Sequence, residues 1–221
     1  MSVVTGLQVQ KRNKERVNVY LDDEYAFSLT LVEAAKLRKG QTLSDDEIAT
    51  LRDVDAVNRA VDTAARFLAN RPRSTSEIRR NLAKKDTPEA VIDRAVARLE
   101  AMGYIDDTAF ARYWLENRNT FKPRGPMALR YELRQKGVPN SIIDQVLEEG
   151  LDVENAAYQA ANQKASRLRG LTQQQFRHKL GGFLQRRGFT YATSRDVIEQ
   201  IATERAEEDP EFFAADPDDW G

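Results

Sequence analysis

Three groups of six cations hold most of the chemical capacity in this 221-residue sequence. They are Arg71, Arg73, Arg79, Arg80, Lys84 and Lys85; then Arg118, Lys122, Arg124, Arg130, Arg134 and Lys136; then Arg167, Arg169, Arg177, Lys179, Arg186 and Arg187. Such cations neutralise phosphates or carboxylates, and a spaced series of them suits a polyanion whose counterions it can release. Other chemistries find little material. The single histidine, His178, stands between Arg177 and Lys179, and no carboxylate lies close by in sequence to orient it as a base. Asp22-Asp23-Glu24 and Asp106-Asp107 offer oxygens to a metal, but a hairpin turn and a helix N-terminus account for them. With no glycine-rich phosphate loop either, no catalytic residue, cofactor or metal site is expected.

The elements that must position these cations repeat at a spacing of 51 residues. Ile78, Leu129 and Leu180 align, as do Leu82, Leu133 and Leu184, then Lys85, Lys136 and Arg187, followed by Asp86, Gly137 and Gly188. Each copy reads as a helix with one buried stripe, a cation at its C-terminal end and a turn. A self-repeat near this period marks a helical array. Because the leucines occupy one face at i and i+4, the Arg80/Lys84 and Arg130/Arg134 pairs are expected on a more exposed one. The alternative is an ordinary solvated face.

Charge is unevenly distributed. The formal net charge is −1, yet the last sixteen residues carry seven acids and no base, which leaves the first 205 at +6. No acid occurs between Glu154 and Asp196. A basic body with an acidic end points to a polyanion or an acidic partner surface, and to self-competition by the tail. The absence of cysteine excludes a disulfide scaffold, no apolar run reaches a membrane span, and Met1 to Gln10 lack a secretory pattern, so a cytosolic location is expected.

Periodicity divides the chain into a small β-rich module with short helices (1–53), three-helix repeats at 54–106, 107–152 and 153–206, and an acidic disordered tail (207–221). The module's strands are Val3 to Gln10, Arg16 to Leu21 and Tyr25 to Leu29, a meander by their alternation. A helix over Thr30 to Lys39 and a short one opened by the Ser44–Glu47 capping box follow. In the first repeat, helices are expected from Asp55 to Asn70, from the Ser74–Glu77 capping box, and from Thr87-Pro88, with Thr87 as N-cap. The second begins at Asp106-Asp107, breaks at Pro123 to Pro126 and restarts at Pro139. The third uses Val153 to Leu168, Thr172 to Arg187 and Ser194 to Ala206, weakened by Gly181-Gly182 and by a longer turn from Gly188 to Thr193. Among the aromatic residues, Phe110 and Trp114 read as packing, while Tyr113 and Phe121 are candidates for exposure and base stacking.

The sequence resembles the RecX family of RecA regulators. The likeness is carried by Arg71-Pro72-Arg73-Ser74-Thr75-Ser76-Glu77-Ile78-Arg79 with Leu82, by Gly103-Tyr104-Ile105-Asp106-Asp107 with Phe110-Ala111 and Trp114, by Gly125, and by the Tyr131 to Val138 run. It covers about residues 56–206, and Gly6 to Leu43 resembles the N-terminal extension of longer members. The resemblance implies a mainly α fold of three tandem three-helix repeats in an elongated crescent, lying in the groove of the RecA–DNA filament. It further implies restraint of strand exchange, ATP hydrolysis and repressor cleavage, in homologous recombination, DNA repair and the SOS response.

The leading reading is therefore a non-enzymatic, monomeric RecA modulator that binds single- and double-stranded DNA weakly and without sequence preference. A second reading is a sequence-specific DNA-binding transcriptional regulator built from tandem three-helix units. A third is a scaffold whose basic face meets an acidic protein.

Overall fold

A computed structural model describes residues 1–215, in two compact units that divide between Asp106 and Asp107. The first opens with strands β1 (Ser2–Val9), β2 (Arg16–Leu21) and β3 (Glu24–Thr30), then helix α1 (Leu31–Ala34), strand β4 (Thr42–Leu43) and helices α2 (Asp45–Leu68), α3 (Thr75–Ala83) and α4 (Glu89–Ala101). The second holds α5 (Asp107–Phe121), α6 (Pro126–Gln135), α7 (Asn140–Gly150), α8 (Val153–Ala165), α9 (Gln173–Arg186) and α10 (Tyr191–Glu208).

The sheet runs β3-β2-β1-β4, all pairs antiparallel. Asp22 and Asp23 both have positive φ, 48° and 68°, the geometry of a tight hairpin turn that follows the twist of its strands. Asp22 also accepts the Val3 N–H, so this acidic run serves the turn. The meander gains a fourth strand because Gly40, at φ 87°, turns the chain back onto β1. For the same reason the helix expected over Thr30 to Lys39 is only the four-residue α1, held by a Thr30/Glu33 capping box.

The two helices expected around Ser44 and Asp55 are one. No glycine or proline interrupts residues 45–68, so α2 runs 24 residues, roughly 36 Å at the usual rise. Its first half packs Ile48 and Leu51 under the sheet against Val19, Phe27 and Leu29. Its second half packs Val57, Ala60 and Ala64 on α3 and α4. At the join, Asp55 is buried and binds Arg16 of β2, whose guanidinium also reaches Ser28 and Asp62.

The three middle helices α3, α6 and α9 bear out the 51-residue echo. All six positions, Ile78, Leu82, Leu129, Leu133, Leu180 and Leu184, are fully buried. Asp86, Gly137 and Gly188 have φ of 56°, 77° and 86°, and the next residue's N–H returns to the carbonyl of Leu82, Leu133 or Leu184. That is the six-to-one closure of a Schellman turn, made three times. The following helix starts one residue later than expected in the first repeat, because Pro88 rather than Thr87 is its N-cap, at φ −59° and ψ 143°. Pro139 does the same for α7.

The third repeat is more regular than its glycines suggested. α9 continues through Gly181 and Gly182, carried by the buried stripe of Phe176, Leu180 and Leu184. The long turn after Gly188 is absent, because the Thr190 hydroxyl accepts the Thr193 N–H and opens α10 at Tyr191. The expected disordered tail is also corrected as far as Ala214. α10 extends to Glu208, Phe212 is buried, and Phe212 and Phe213 set their rings edge-on to Phe176. Backbone bonds from Gly170 N–H to Phe212 C=O and from Ala214 N–H to Leu171 C=O fix the segment. Phenylalanine burial outweighs the acidity of the neighbouring residues here. The acids Asp216, Asp218 and Asp219 and Trp220 lie outside the described residues.

Candidate functional site

In the first repeat most of the cations serve the fold. Arg71 bonds Glu77 at 2.8 Å, supporting the acid of the Ser74 capping box. Arg73 lies 3.9 Å over the Phe67 ring, with its guanidinium held below the ordinary arginine range by burial and then by the like charge of Arg71. Arg79 pairs with Glu89 and Asp93 of α4, and Arg80 turns back to the Ser76 carbonyl and hydroxyl. Lys84 and Lys85, at the C-terminal end of α3, are exposed and have no side-chain partner among the described residues. A lysine there also suits the negative end of the helix dipole.

Arg130 is the 51-residue counterpart of Arg79, not of Arg80, and it makes the matching bond, 3.0 Å to Asp144 of α7. Arg80 and Tyr131 are counterparts, so Arg80/Lys84 and Arg130/Arg134 sit one position apart on their helices. Among the described residues Arg134 meets only the Asn140 side-chain oxygen, at 2.8 Å. In the third repeat Arg177 forms a two-pronged pair with Glu199 of α10, and Arg169 binds Asp209 at 3.0 Å. The acid-free stretch therefore borrows acids from beyond its ends. Arg167, Lys179 and Arg186 are exposed, as is Lys122 in the second repeat, and none has a side-chain partner among the described residues. His178 is exposed on α9.

One place gathers cations from several elements. Leu129 and Leu133 turn α6 so that Glu132 and Lys136, also four apart, face Trp114 and Arg118 of α5. Glu132 accepts from the Trp114 ring N–H at 2.8 Å and from Arg118 Nε at 2.7 Å. The Arg118 guanidinium lies 4.5 Å from the Trp114 ring centroid and the Lys136 ammonium 5.0 Å from it. Arg124 Nε stands 2.8 Å from the other Glu132 oxygen, but off the hydrogen-bonding direction, which leaves that buried N–H without an acceptor.

Arg187 completes the group. It donates to the Pro123 carbonyl at 3.1 Å and lies over the Phe183 ring, with its pKa lowered by burial first and by the charge of Arg124 second. What brings it there is a backbone contact between repeats two and three. Gly125 N–H meets Arg187 C=O at 2.9 Å, and Met127 N–H meets Gly188 C=O at 3.3 Å. A Cβ on Gly125 would stand 2.2 Å from the Gly188 oxygen, so only glycine permits the approach. Arg118 and Arg124 thus share the Glu132 carboxylate, and Arg187 stands beside Arg124 with no acidic partner among the described residues. Such a group suits an oxyanion with several acceptor oxygens, a phosphate above all.

Phe110 and Trp114 pack as expected, ring centroids 6.0 Å apart, and Phe121 is exposed. Sequence reasoning passed over Met127 and Tyr131, which are also exposed. Their spacing of four, out of phase with Leu129 and Leu133, was the signal available.

Comparison with known proteins gives the same organisation. Residues 2–44 match the regulatory protein RecX N-terminal domain, and residues 60–99, 106–147 and 152–198 match the first, second and third RecX three-helix domains. A regulatory protein RecX from Lactobacillus delbrueckii subsp. bulgaricus is 34% identical over 97% of this chain and 80% of its own length. One from Bacillus subtilis is 32% identical over 94% and 80%. One from Listeria innocua is 35% identical over 71% of this chain, which spans 60% of that relative. A crystal structure of regulatory protein RecX matches with a TM-score of 0.74 at 27% identity, over 90% of this chain and 100% of the other. That of RecX from Lactobacillus salivarius shares the fold, with a TM-score of 0.61 at 20% identity over 67% and 98%. With four family domains in order along residues 2–198 and relatives above 30% identity over nearly all its residues, the chain belongs to the RecX family of regulatory proteins.

Proposed function

We propose that this protein is a non-enzymatic cytosolic modulator of the RecA recombinase, seated in the groove of the RecA–DNA filament across more than one protomer. From there it restrains strand exchange, ATP hydrolysis and repressor cleavage, and it touches DNA weakly and without sequence preference. The observation that carries this reading is the sharing of the Glu132 carboxylate by Arg118 and Arg124, with Arg187 beside Arg124 and no acidic partner of its own among the described residues. A filament is a periodic ligand, and a repeat protein gains on it through effective concentration. The nearby exposed Lys122, and Lys179 and Arg186 of the third repeat, would add sequence-independent phosphate contacts.

Reversing Lys122, Lys179 and Arg186 to glutamate, which breaks no ion pair described above, is the test. Inhibition of RecA-driven ATP hydrolysis should weaken, and the dependence of DNA binding on salt should flatten by about 0.7–0.9 in logarithmic slope for each phosphate no longer neutralised. An unchanged inhibition curve would overturn the proposal. A gel-shift series that reveals strong preference for one duplex would favour a transcriptional regulator instead.

A further inference from the structure

The segment after α10 is an aromatic hook whose shape is set by its own sequence. Asp209 C=O accepts the Phe212 N–H at 2.9 Å, and an Asp209 side-chain oxygen accepts the Glu211 N–H at 3.1 Å. Aspartate first and proline second are the residue types that pre-set such a turn. Both bonds lie within residues 209–212, so the hook needs no help from α10. It delivers Phe212 and Phe213 together, ring centroids 4.9 Å apart, onto Phe176 of α9 at 5.9 Å and 5.2 Å.

The turn between α8 and α9 receives the hook. Gly170 N–H donates to Phe212 C=O at 2.9 Å, Leu171 C=O accepts from Ala214 N–H at 3.0 Å, and Arg169 pairs with Asp209 at 3.0 Å. Main-chain bonds that hold a segment, with an aromatic floor and a cation that select its side chains, are the parts of a peptide-recognition site. The 51-residue counterparts of Phe176 are Ser74 and Gly125, so the aromatic floor belongs to the third repeat alone. The approach to the middle helix is a receiving edge in the second repeat too, where Pro123 C=O and Gly125 N–H bond Arg187. There the occupant is another repeat, and here it is the short segment 209–214. Phe213 is only partly buried and Arg169 is 59% exposed, so the rim of the site stays open to solvent with the hook in place.

We infer that the α8–α9 turn is a binding site for an acidic peptide of the hook's own chemistry, with aspartate first and paired phenylalanines fourth and fifth, offered by a protein partner. Residues 209–214 fill that site in cis as a displaceable plug. A tethered plug competes at an effective concentration of about a millimolar, so the site answers only to a partner that presents the peptide densely or in several copies. The inference stands independently of the function proposed above.

The test adds a peptide of residues 209–214, with blocked ends, to the full wild-type chain at about 5 mM, several times the effective concentration of the tethered plug. Hydrogen exchange is followed by nuclear magnetic resonance at two amides of the chain. Displacement should speed exchange at Ala214 by about tenfold or more, because that N–H leaves Leu171, while Gly170 keeps its protection by bonding the peptide instead. A control peptide with serine in place of both phenylalanines should change neither. Native exchange at Ala214 under the excess of peptide overturns the inference and makes the tail a fixed part of the third repeat. Faster exchange at both amides also overturns it, since the turn then dissolves when the tail leaves. An equal response to the serine peptide overturns it too, because the site would not be reading the aromatic pair.

Discussion

Gly188→Ala isolates the backbone contact that builds the cation cluster. Gly188 has φ 86°, where an alanine costs roughly 1–2 kcal/mol from its own backbone. Its added Cβ would lie 2.4 Å from the Ala128 nitrogen and 2.6 Å from the Ala128 Cβ, well inside ordinary contact. No rotamer relieves an overlap with backbone, so α6 must shift or the repeats must part, for a further penalty of about 1–3 kcal/mol. The total is about 2–5 kcal/mol. Two controls share the same turn. Gly103→Ala, at φ 71° with no atom within 4 Å of the added Cβ, should show only the conformational part, about 1–2 kcal/mol. Asp86→Gly, at φ 56°, should be neutral or stabilising by a few tenths of a kcal/mol, since aspartate already tolerates the left-handed region. Urea unfolding at constant slope measures all three, and hydrogen exchange at the Gly125 and Met127 amides reports the contact directly. If Gly188→Ala proves no worse than Gly103→Ala and those amides stay protected, the junction between the repeats does not depend on this close approach.

Asp55→Asn should destabilise the first unit by about 3–5 kcal/mol, because it strands the buried Arg16 charge, and replacing both partners with Arg16→Met/Asp55→Leu should recover most of the loss. Thermal or urea unfolding decides this, and a mild single variant would refute the pairing. Phe212→Ala should cost about 3–5 kcal/mol in the third repeat, and deleting residues 206–221 should loosen that repeat as well as change DNA affinity. A deletion that tightens DNA binding with undiminished stability would return the tail to a purely electrostatic role. Glu47 lies below its ordinary 4.5, chiefly through the Ser44 N–H and then its hydroxyl, and Asp53 below 3.8 through its bonds to Arg94. Depressed carboxyls contribute stability that is complete above their unfolded values and lost as pH falls through the folded ones. The first unit should therefore begin to lose stability below about pH 4.5, and Glu47→Gln should flatten that limb of a pH–stability curve.

Features that depend on residues close together in the chain were readable without coordinates. The capping boxes at Ser44 and Ser74 join residues three apart, and the Schellman turns at Asp86, Gly137 and Gly188 join residues five apart. The leucine stripe declares itself by period. Reading failed where two remote segments decide the outcome. That Asp55 of α2 is buried depends on its finding Arg16, and β4 exists only because β1 offers it an edge. The tail packs because Phe176 and Leu171 await it.

The cations make the division plain. Sequence alone determined that three similar α units would form, that Ile78, Leu129, Leu180 and their partners would be buried, and that positive charge would recur beside them, since helical period and hydrophobic burial act on local pattern. Which of those charges remain available was decided only by tertiary structure. Arg79 meets Asp93 and Arg130 meets Asp144, each 14 residues on, and Arg177 meets Glu199, 22 residues on. Glu132 draws in Arg118 and Arg124 but leaves Arg187 with a carbonyl and a like-charged neighbour. Electrostatic pairing falls off with distance in space, and the chain's own order does not give that distance until the helices have packed.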